Sequence, residues 1–166
     1  MIAAGNYLKK RQIMGKPPKV QPWMILISTV ALALGLNRLL PWPLPDLDWL
    51  GTLGGGLFAL GILLLFGGFG NLIKAFKANG VWDPDRLITD GFLKVSRNPL
   101  YLGAGLTLIG AGLLSGLPWL ILGAFIMLIL LNYLVVPFEE KMLKAKFGEA
   151  WKDYARKTPR WLGLSR

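Results

Sequence analysis

The chain has 166 residues, of which 54% are hydrophobic and 17% are charged, a composition that excludes a typical soluble domain. Its 19 Lys and Arg against 9 Asp and Glu give a net charge of +10, and its lack of Cys and His excludes disulfides, thiol catalysis and the commonest metal ligand. The charge suggests nucleic acid, but long apolar runs leave no polar domain to read a groove. We therefore expect no nucleic acid partner, no metal, and contacts between the cations and anionic membrane lipids.

Four apolar runs approach the roughly 20 residues that a membrane-spanning helix requires. In chain order they are Pro22–Leu40, about Leu50–Leu72, Pro99–Leu114 and Trp119–Phe138. They predict an all-α integral membrane protein with four transmembrane helices in one domain. Its expected parts are a basic cytoplasmic arm (1–21) without a signal peptide, two spans (22–76), a cytoplasmic loop (77–98), a helical hairpin (99–138) and a cytoplasmic tail (139–166).

Glycine and proline indicate how the runs are packed and joined. The second and third runs are rich in glycine, which lets helices approach closely in lipid. Gly116-Leu117-Pro118 has room only for a tight turn, so the third and fourth runs are predicted to form an antiparallel hairpin. The loop "PWPLPDLD" (Pro41–Asp48) carries an aromatic residue that is typical of a membrane interface.

The distribution of cations predicts the orientation of the chain. Arg38 is the one Lys or Arg in or beside the first and third connections, whereas the N-terminal arm, the central loop and the tail are rich in both residues. Both termini and the central loop are therefore predicted to be cytoplasmic. The absence of cysteine and the compact loops favour a prokaryotic inner membrane.

The tail has a helical pattern of its own. Beyond Pro137, which lacks an N–H and is expected to kink the fourth helix, a partial apolar stripe predicts an amphipathic cytoplasmic helix. Gly148 is expected to interrupt it, with a second short helix from Glu149 to Lys157.

Two charged clusters should meet at the cytoplasmic mouth of the hairpin. Arg97-Asn98-Pro99 lies where the chain enters the third run, and Glu139-Glu140 lies where it leaves the fourth. Adjacent carboxylates at the bilayer edge repel each other and lose solvation, so at least one needs a cationic partner. The planar guanidinium of Arg97 suits a carboxylate.

Each of these residues also has a simpler interpretation. Arg97 is also explained as a cytoplasmic anchor, Asn98 as a helix N-cap and Tyr101 as an interfacial aromatic. Glu140 lies four residues before Lys144, so a surface ion pair is a further alternative.

The combined pattern is more specific than its parts. "TDGFLKVSRNPLYLG" (Thr89–Gly103), a hydrophobic hairpin and "EEKMLKAKFGEAWKDYARKTPRW" (Glu139–Trp161) resemble the isoprenylcysteine carboxyl methyltransferase family, which is related to the membrane phospholipid N-methyltransferases. The shared signature is Gly-aromatic, Arg-Asn-Pro, Tyr-x-Gly, a Glu-Glu pair some forty residues later, Phe-Gly, a Tyr and a terminal Pro-Arg. The resemblance covers roughly Asp83 to Arg160.

The resemblance implies an integral-membrane enzyme that uses S-adenosylmethionine (SAM) to methylate a lipophilic small molecule or lipid. Its C-terminal half would fold over the cofactor at the cytoplasmic face. The implied catalytic residues are Arg97, Asn98 and Glu140. The implied cofactor-binding residues are Arg97, Asn98, Tyr101, Gly103, Glu139, Glu140, Trp151 and Tyr154, with Arg156 or Arg160 as alternatives to Arg97 for binding a carboxylate.

Two departures from the family pattern limit what carries over. Asn98 stands where many members have histidine, and an amide cannot titrate or act as a base. Trp151 stands where tyrosine is common. The isoprenylcysteine substrate is therefore not carried over, and two other functions stay open: an NADPH-dependent membrane reductase of the sterol-reductase type, and a non-enzymatic lipid-binding membrane protein.

Overall fold

The computed structural model describes residues 20–45, 47–75 and 86–163, and all the regular structure in these ranges is helical. The helices are α1 (Pro22–Leu39), α2 (Asp48–Ala75), α3 (Pro99–Leu114), α4 (Pro118–Leu130), α5 (Val136–Phe147) and α6 (Glu149–Lys157). A 3₁₀ turn (Gly91–Lys94) precedes α3, and a π-helical turn (Leu131–Val135) joins α4 to α5. The all-α prediction is confirmed for these ranges, whereas most of the basic arm and the first part of the 77–98 loop lie outside them.

Three stretches are long and apolar enough to cross a membrane: Pro22–Leu39, Asp48–Gly70 and Pro118–Phe147. The fourth predicted span, α3, is apolar but has 16 residues. At 1.5 Å per residue it is about 24 Å long, which is shorter than the roughly 30 Å hydrocarbon core of a bilayer. The described ranges thus show an all-helical integral membrane protein, and the fourth span stays a proposal.

Helices α2 and α3 form the most extensive helix pair of the described chain because glycines remove side chains from both surfaces. A Cβ atom built on Gly61 would lie 2.5 Å from Thr107 Oγ1 and 2.8 Å from Gly103 O. One built on Gly110 would lie 2.7 Å from Gly54 O. Such distances leave no room for a methyl group, so the glycine-rich runs pack backbone against backbone, as in small-residue membrane interfaces.

Helices α3 and α4 form a hairpin, and α1 packs against its second arm. Three residues join the two helices, and Gly116 takes φ +64° there, a conformation that glycine adopts at low cost. Ile25 of α1 lies in a buried cluster with Met127, Leu131 and Val135. This packing brings the start of α3 and the start of α5 to the same end of the hairpin.

The helix that begins at Pro118 changes its hydrogen-bond register before Pro137. The N–H of Val136 donates to the carbonyl of Leu131, five residues back, which is the π-helical pattern. The sequence predicted a kink at Pro137; the irregularity lies in the preceding turn, because Pro137 has no N–H for a regular bond. Gly148, at φ +56°, ends α5, and α6 has the predicted bounds.

Candidate functional site

Arg97 and Glu140 form an ion pair at the mouth of the hairpin. Arg97 Nη1 lies 2.8 Å from Glu140 Oε1, and the two side chains are only 15% and 18% exposed. The pair joins Arg97, two residues before α3, to the first turns of α5. This is the partner that the sequence analysis required for one of the two adjacent carboxylates.

Arg160 binds the same carboxylate from the C-terminal side. Its Nη2 lies 2.5 Å from Glu140 Oε2 and its Nε lies 3.2 Å from Oε1. Two parallel N–H donors on one carboxylate make the bidentate geometry that arginine favours. Glu140 therefore accepts from two guanidinium groups, although the sequence analysis named Arg160 only as an alternative to Arg97.

The residues that precede α3 are bound by residues 158–161, which we call the C-terminal strap. The Arg97 N–H donates to Pro159 O at 2.9 Å, and Asn98 Nδ2 donates to Arg160 O at 2.9 Å. Ser96 Oγ donates to the same carbonyl at 3.2 Å. Asn98, at the position where many relatives have histidine, acts here as a buried hydrogen-bond donor to the backbone.

Asn132 of the π-helical turn contacts the strap from its other side. Its Oδ1 accepts from Trp161 Nε1 at 3.0 Å and from Arg160 Nη1 at 3.3 Å. Asn132 is not among the site residues predicted from the sequence. The signal was present, since an amide within the apolar run Trp119–Phe138 is a polar group in a membrane segment and such groups are often functional.

Glu139 has a different partner from Glu140. Its Oε1 accepts from the Tyr101 hydroxyl at 2.7 Å. In the described part of the chain it makes no salt bridge. The Tyr101 ring packs beside the Ile25 cluster, so this carboxylate lies on the apolar side of the mouth.

Helix α6 adds an aromatic wall. Trp151 and Tyr154 are buried and meet edge to face with their ring centroids 5.5 Å apart. The Arg97 guanidinium carbon lies 5.8 Å from the Trp151 ring centroid, which is within cation–π range. Tyr154 donates to Leu93 O at 2.8 Å, and burial raises the pKa of its hydroxyl above the ordinary value while Arg97 opposes the rise.

The outer surface of α6 is charged and open. An open groove of about 370 Å³ is lined by Lys144, Trp151, Lys152, Ala155 and Arg156. Lys152 and Arg156 are paired there with acidic residues of the same helix, Glu149 and Asp153. Trp151 thus lines this groove and also contacts Arg97.

One predicted cofactor-binding residue has other neighbours. A Cβ atom on Gly103 would lie 2.8 Å from Gly61 O and from Leu65 N of α2. The close approach that the sequence predicted at Gly103 is therefore an approach of α2. The other predicted residues all belong to the network at the mouth or to the α6 wall that packs on it. They are Arg97, Asn98, Tyr101, Glu139, Glu140, Trp151 and Tyr154.

Comparison with known proteins identifies the family of this chain. The model of one family, phospholipid methyltransferase, matches residues 49–150. No curated protein and no solved structure matches the chain. The matched range includes Arg97, Asn98, Tyr101 and both glutamates, and it ends before Trp151 and the strap. The phospholipid methyltransferase family is related to the isoprenylcysteine carboxyl methyltransferases that the motifs of the chain resemble. Because the match covers more than half of the chain, the chain belongs to the phospholipid methyltransferase family of membrane methyltransferases.

Proposed function

We propose that the protein is a SAM-dependent methyltransferase for a lipophilic acceptor, with its active site at the cytoplasmic mouth of the hairpin. One observation carries the proposal: Arg97, Glu140 and the Tyr101–Glu139 pair converge at one end of the hairpin in a chain of a methyltransferase family. A plain helical anchor has no need for this convergence of partly buried charges.

The residues at the mouth fit the chemistry of SAM, which carries a carboxylate, an ammonium, a sulfonium and an adenosine. Arg97 Nε is buried and has no hydrogen-bond partner in the described part of the chain, so it offers a donor for a carboxylate. One oxygen of Glu139 accepts from the Tyr101 hydroxyl, and the carboxylate can still accept from an ammonium or a ribose hydroxyl. The Trp151 ring, which already faces the Arg97 guanidinium, is of the type that also packs against a sulfonium or an adenine base.

When bound, SAM would supply an electrophilic methyl group, which would pass to the acceptor by in-line displacement as its bond to sulfur breaks and S-adenosylhomocysteine leaves. The chain has to bind the two reactants, orient them and exclude water from the site. These tasks need no titrating side chain. Arg97 and Glu140 fix each other at the mouth. The strap and α6 cover the mouth, where Ser96, Asn98 and Trp151 are buried. Asn98 contributes a hydrogen bond to the strap, so methyl transfer here is proposed to proceed without a histidine base.

The cytoplasmic placement belongs to the proposal and has its own test. Four spans put both termini on the cation-rich side, in a membrane that we expect to be a prokaryotic inner membrane. The chain has no cysteine, so single substitutions can be labelled without background. Ser115→Cys, in the turn after α3, should react with a membrane-impermeant thiol reagent only from outside, and Leu162→Cys only from the cytoplasm. Labelling of both from one side would contradict four spans.

The cofactor is tested by ligand-dependent stabilisation of the purified protein. S-adenosylhomocysteine, the product form, should raise the melting temperature of the wild type, because a ligand that binds only the folded state stabilises it. Glu140→Gln should lose most of this rise. Glu149→Gln, which removes an exposed carboxylate of α6, should keep it.

The outcome of the same assay separates the alternatives. Stabilisation by NADPH without stabilisation by S-adenosylhomocysteine would replace the methyltransferase with a reductase. Stabilisation by neither would leave a lipid-binding membrane protein. Incubation with methyl-labelled SAM and a total lipid extract then tests the acceptor, since label should enter the organic phase with wild type and not with Glu140→Gln.

A further inference from the structure

Asn132 is a polar side chain in the middle of Pro118–Phe147, the longest of the three apolar stretches in the described chain. It lies outside both the Glu139-Glu140 pair and the motif before α3, and the side-chain hydrogen bonds that it makes to described residues are to the C-terminal strap. Its Oδ1 accepts one hydrogen bond from the Trp161 indole and one from the Arg160 guanidinium. A membrane segment carries such an amide at a cost unless the amide is used.

The π-helical turn brings Asn132 to the same side of the helix as Glu140. The two residues are eight positions apart, and at 100° per residue a regular α-helix would place them about 80° apart around its axis. A π-helical turn absorbs one extra residue. Counting seven positions at the same 100° per residue gives a separation of about 20°. The Val136-to-Leu131 hydrogen bond is the physical sign of this shift.

Because of this register, two residues of the Pro118–Phe147 stretch, eight positions apart, bind the same Arg160 guanidinium. Glu140 takes Nε and Nη2, and Asn132 takes Nη1. On the opposite side, the strap carbonyls accept from Ser96, Arg97 and Asn98. The strap is therefore tied between the start of α3 and the π-helical turn.

Glu140 and Asn132 differ in what else they are needed for. Under the proposed function, Glu140 fixes Arg97 at the cofactor site as well as Arg160 of the strap. Asn132 is neutral, and the side-chain hydrogen bonds that it makes to described residues are to the strap. Asn132 can thus hold Arg160 and Trp161 in place whatever Glu140 binds.

We propose that Asn132 is a positioning residue that anchors the C-terminal strap over the methyl-transfer site. The π-helical turn is the backbone feature that makes this possible. The proposal rests on the proposed function for its consequence, tighter cofactor binding, but the anchoring itself is a property of the chain alone.

The anchoring is tested with a nitroxide on Leu162→Cys, an exposed position (61%) directly after the strap in a chain that has no cysteine. Asn132→Leu removes the acceptor and should give a mobile spectrum. Asn132→Asp keeps an acceptor oxygen for both donors and should keep the spectrum immobilised. Tyr133→Leu changes the next residue of the same turn, which is 73% exposed, and should leave the spectrum unchanged.

The consequence is tested by the affinity for S-adenosylhomocysteine. Losing a hydrogen bond to a charged group should lower the affinity of Asn132→Leu roughly tenfold or more, while Asn132→Asp should stay within about threefold of the wild type. If Asn132→Leu does not fold, Trp161→Phe removes one of the two donors and should give an intermediate mobility.

Three results would overturn the inference: an immobilised label in Asn132→Leu, an equally mobile label in Tyr133→Leu, or a mobile label together with unchanged affinity for S-adenosylhomocysteine. Absence of binding by the wild type would instead reject the proposed function. The spin-label comparison would then still decide whether Asn132 anchors the strap.

Discussion

Glu139 and Glu140 are consecutive residues whose carboxylates have separate partners. Glu139 accepts from the Tyr101 hydroxyl at 2.7 Å, whereas Glu140 pairs with the guanidinium groups of Arg97 and Arg160. Successive side chains of an α-helix point about 100° apart, so the helix itself separates the two like charges. The two positions should therefore respond differently to substitution.

Glu140→Gln is expected to lower the free energy of unfolding by about 2–3 kcal/mol, because it leaves two partly buried guanidinium groups without a counter-charge. Thermal unfolding of the purified protein without ligand measures this loss. The matched control is Glu149→Gln, whose carboxylate is 76% exposed. That variant should lie within about 0.5 kcal/mol of the wild type. Equal losses in both variants would show that the ion pairs at the mouth do not stabilise the fold.

Tyr101→Phe is expected to lower the free energy of unfolding by about 1–3 kcal/mol, because the Glu139 carboxylate loses its donor at the mouth. Glu139→Gln keeps an acceptor for the Tyr101 hydroxyl and should cost less. Tyr133→Phe removes a hydroxyl from an exposed ring of the π-helical turn, so it serves as the control. A loss in Tyr133→Phe as large as that in Tyr101→Phe would contradict the assignment.

Tyr154 should make the stability of the protein depend on alkaline pH. Burial raises the pKa of its hydroxyl in the folded state, and the unfolded hydroxyl ionises near pH 10. Above that pH the unfolded chain releases the proton and the folded chain retains it, so the unfolded state gains stability as the pH rises. The contribution of Tyr154 is thus complete below pH 10 and decreases above it.

The measurement compares wild type with Tyr154→Phe from pH 9 to pH 11. The phenylalanine variant cannot ionise, so its unfolding free energy should fall less steeply over this range. Near pH 9 it should be less stable by about 1 kcal/mol, for the lost hydrogen bond to Leu93 O. Parallel curves for the two proteins would show that Tyr154 is not the titrating group.

The helices could be predicted from the sequence because long apolar runs, and the Pro and Gly residues that bound them, are local signals. Pro99 begins α3 and Gly148 separates α5 from α6, as predicted, whereas α4 begins at Pro118, one residue before the predicted start of the fourth run. The π-helical turn was not predicted, because hydropathy does not report which carbonyl each N–H selects. Pro137 signalled an irregularity, but the structure accommodates it in the preceding turn.

The site was predictable where a local charge demanded a partner. Two adjacent carboxylates beside an apolar run need a cation, and the hairpin brings Arg97 to Glu140. The return of the strap was not predictable in the same way. Its hydrogen bonds join Arg160 to residues more than sixty positions earlier, and only tertiary packing selects such partners.

The α2–α3 interface predicts different stabilities for alanine variants at two glycines of α2. Gly61→Ala should lower the free energy of unfolding by about 1–3 kcal/mol, because its methyl group would meet Thr107 Oγ1 at 2.5 Å and Gly103 O at 2.8 Å. Backbone on both sides cannot move aside without separating the helices. Gly55→Ala has nothing within 4 Å and should be neutral or stabilising by up to about 1 kcal/mol, since alanine favours a helix over glycine. Thermal unfolding of both variants measures the difference, and a Gly55→Ala loss equal to that of Gly61→Ala would mean that α2 presents a different face to α3.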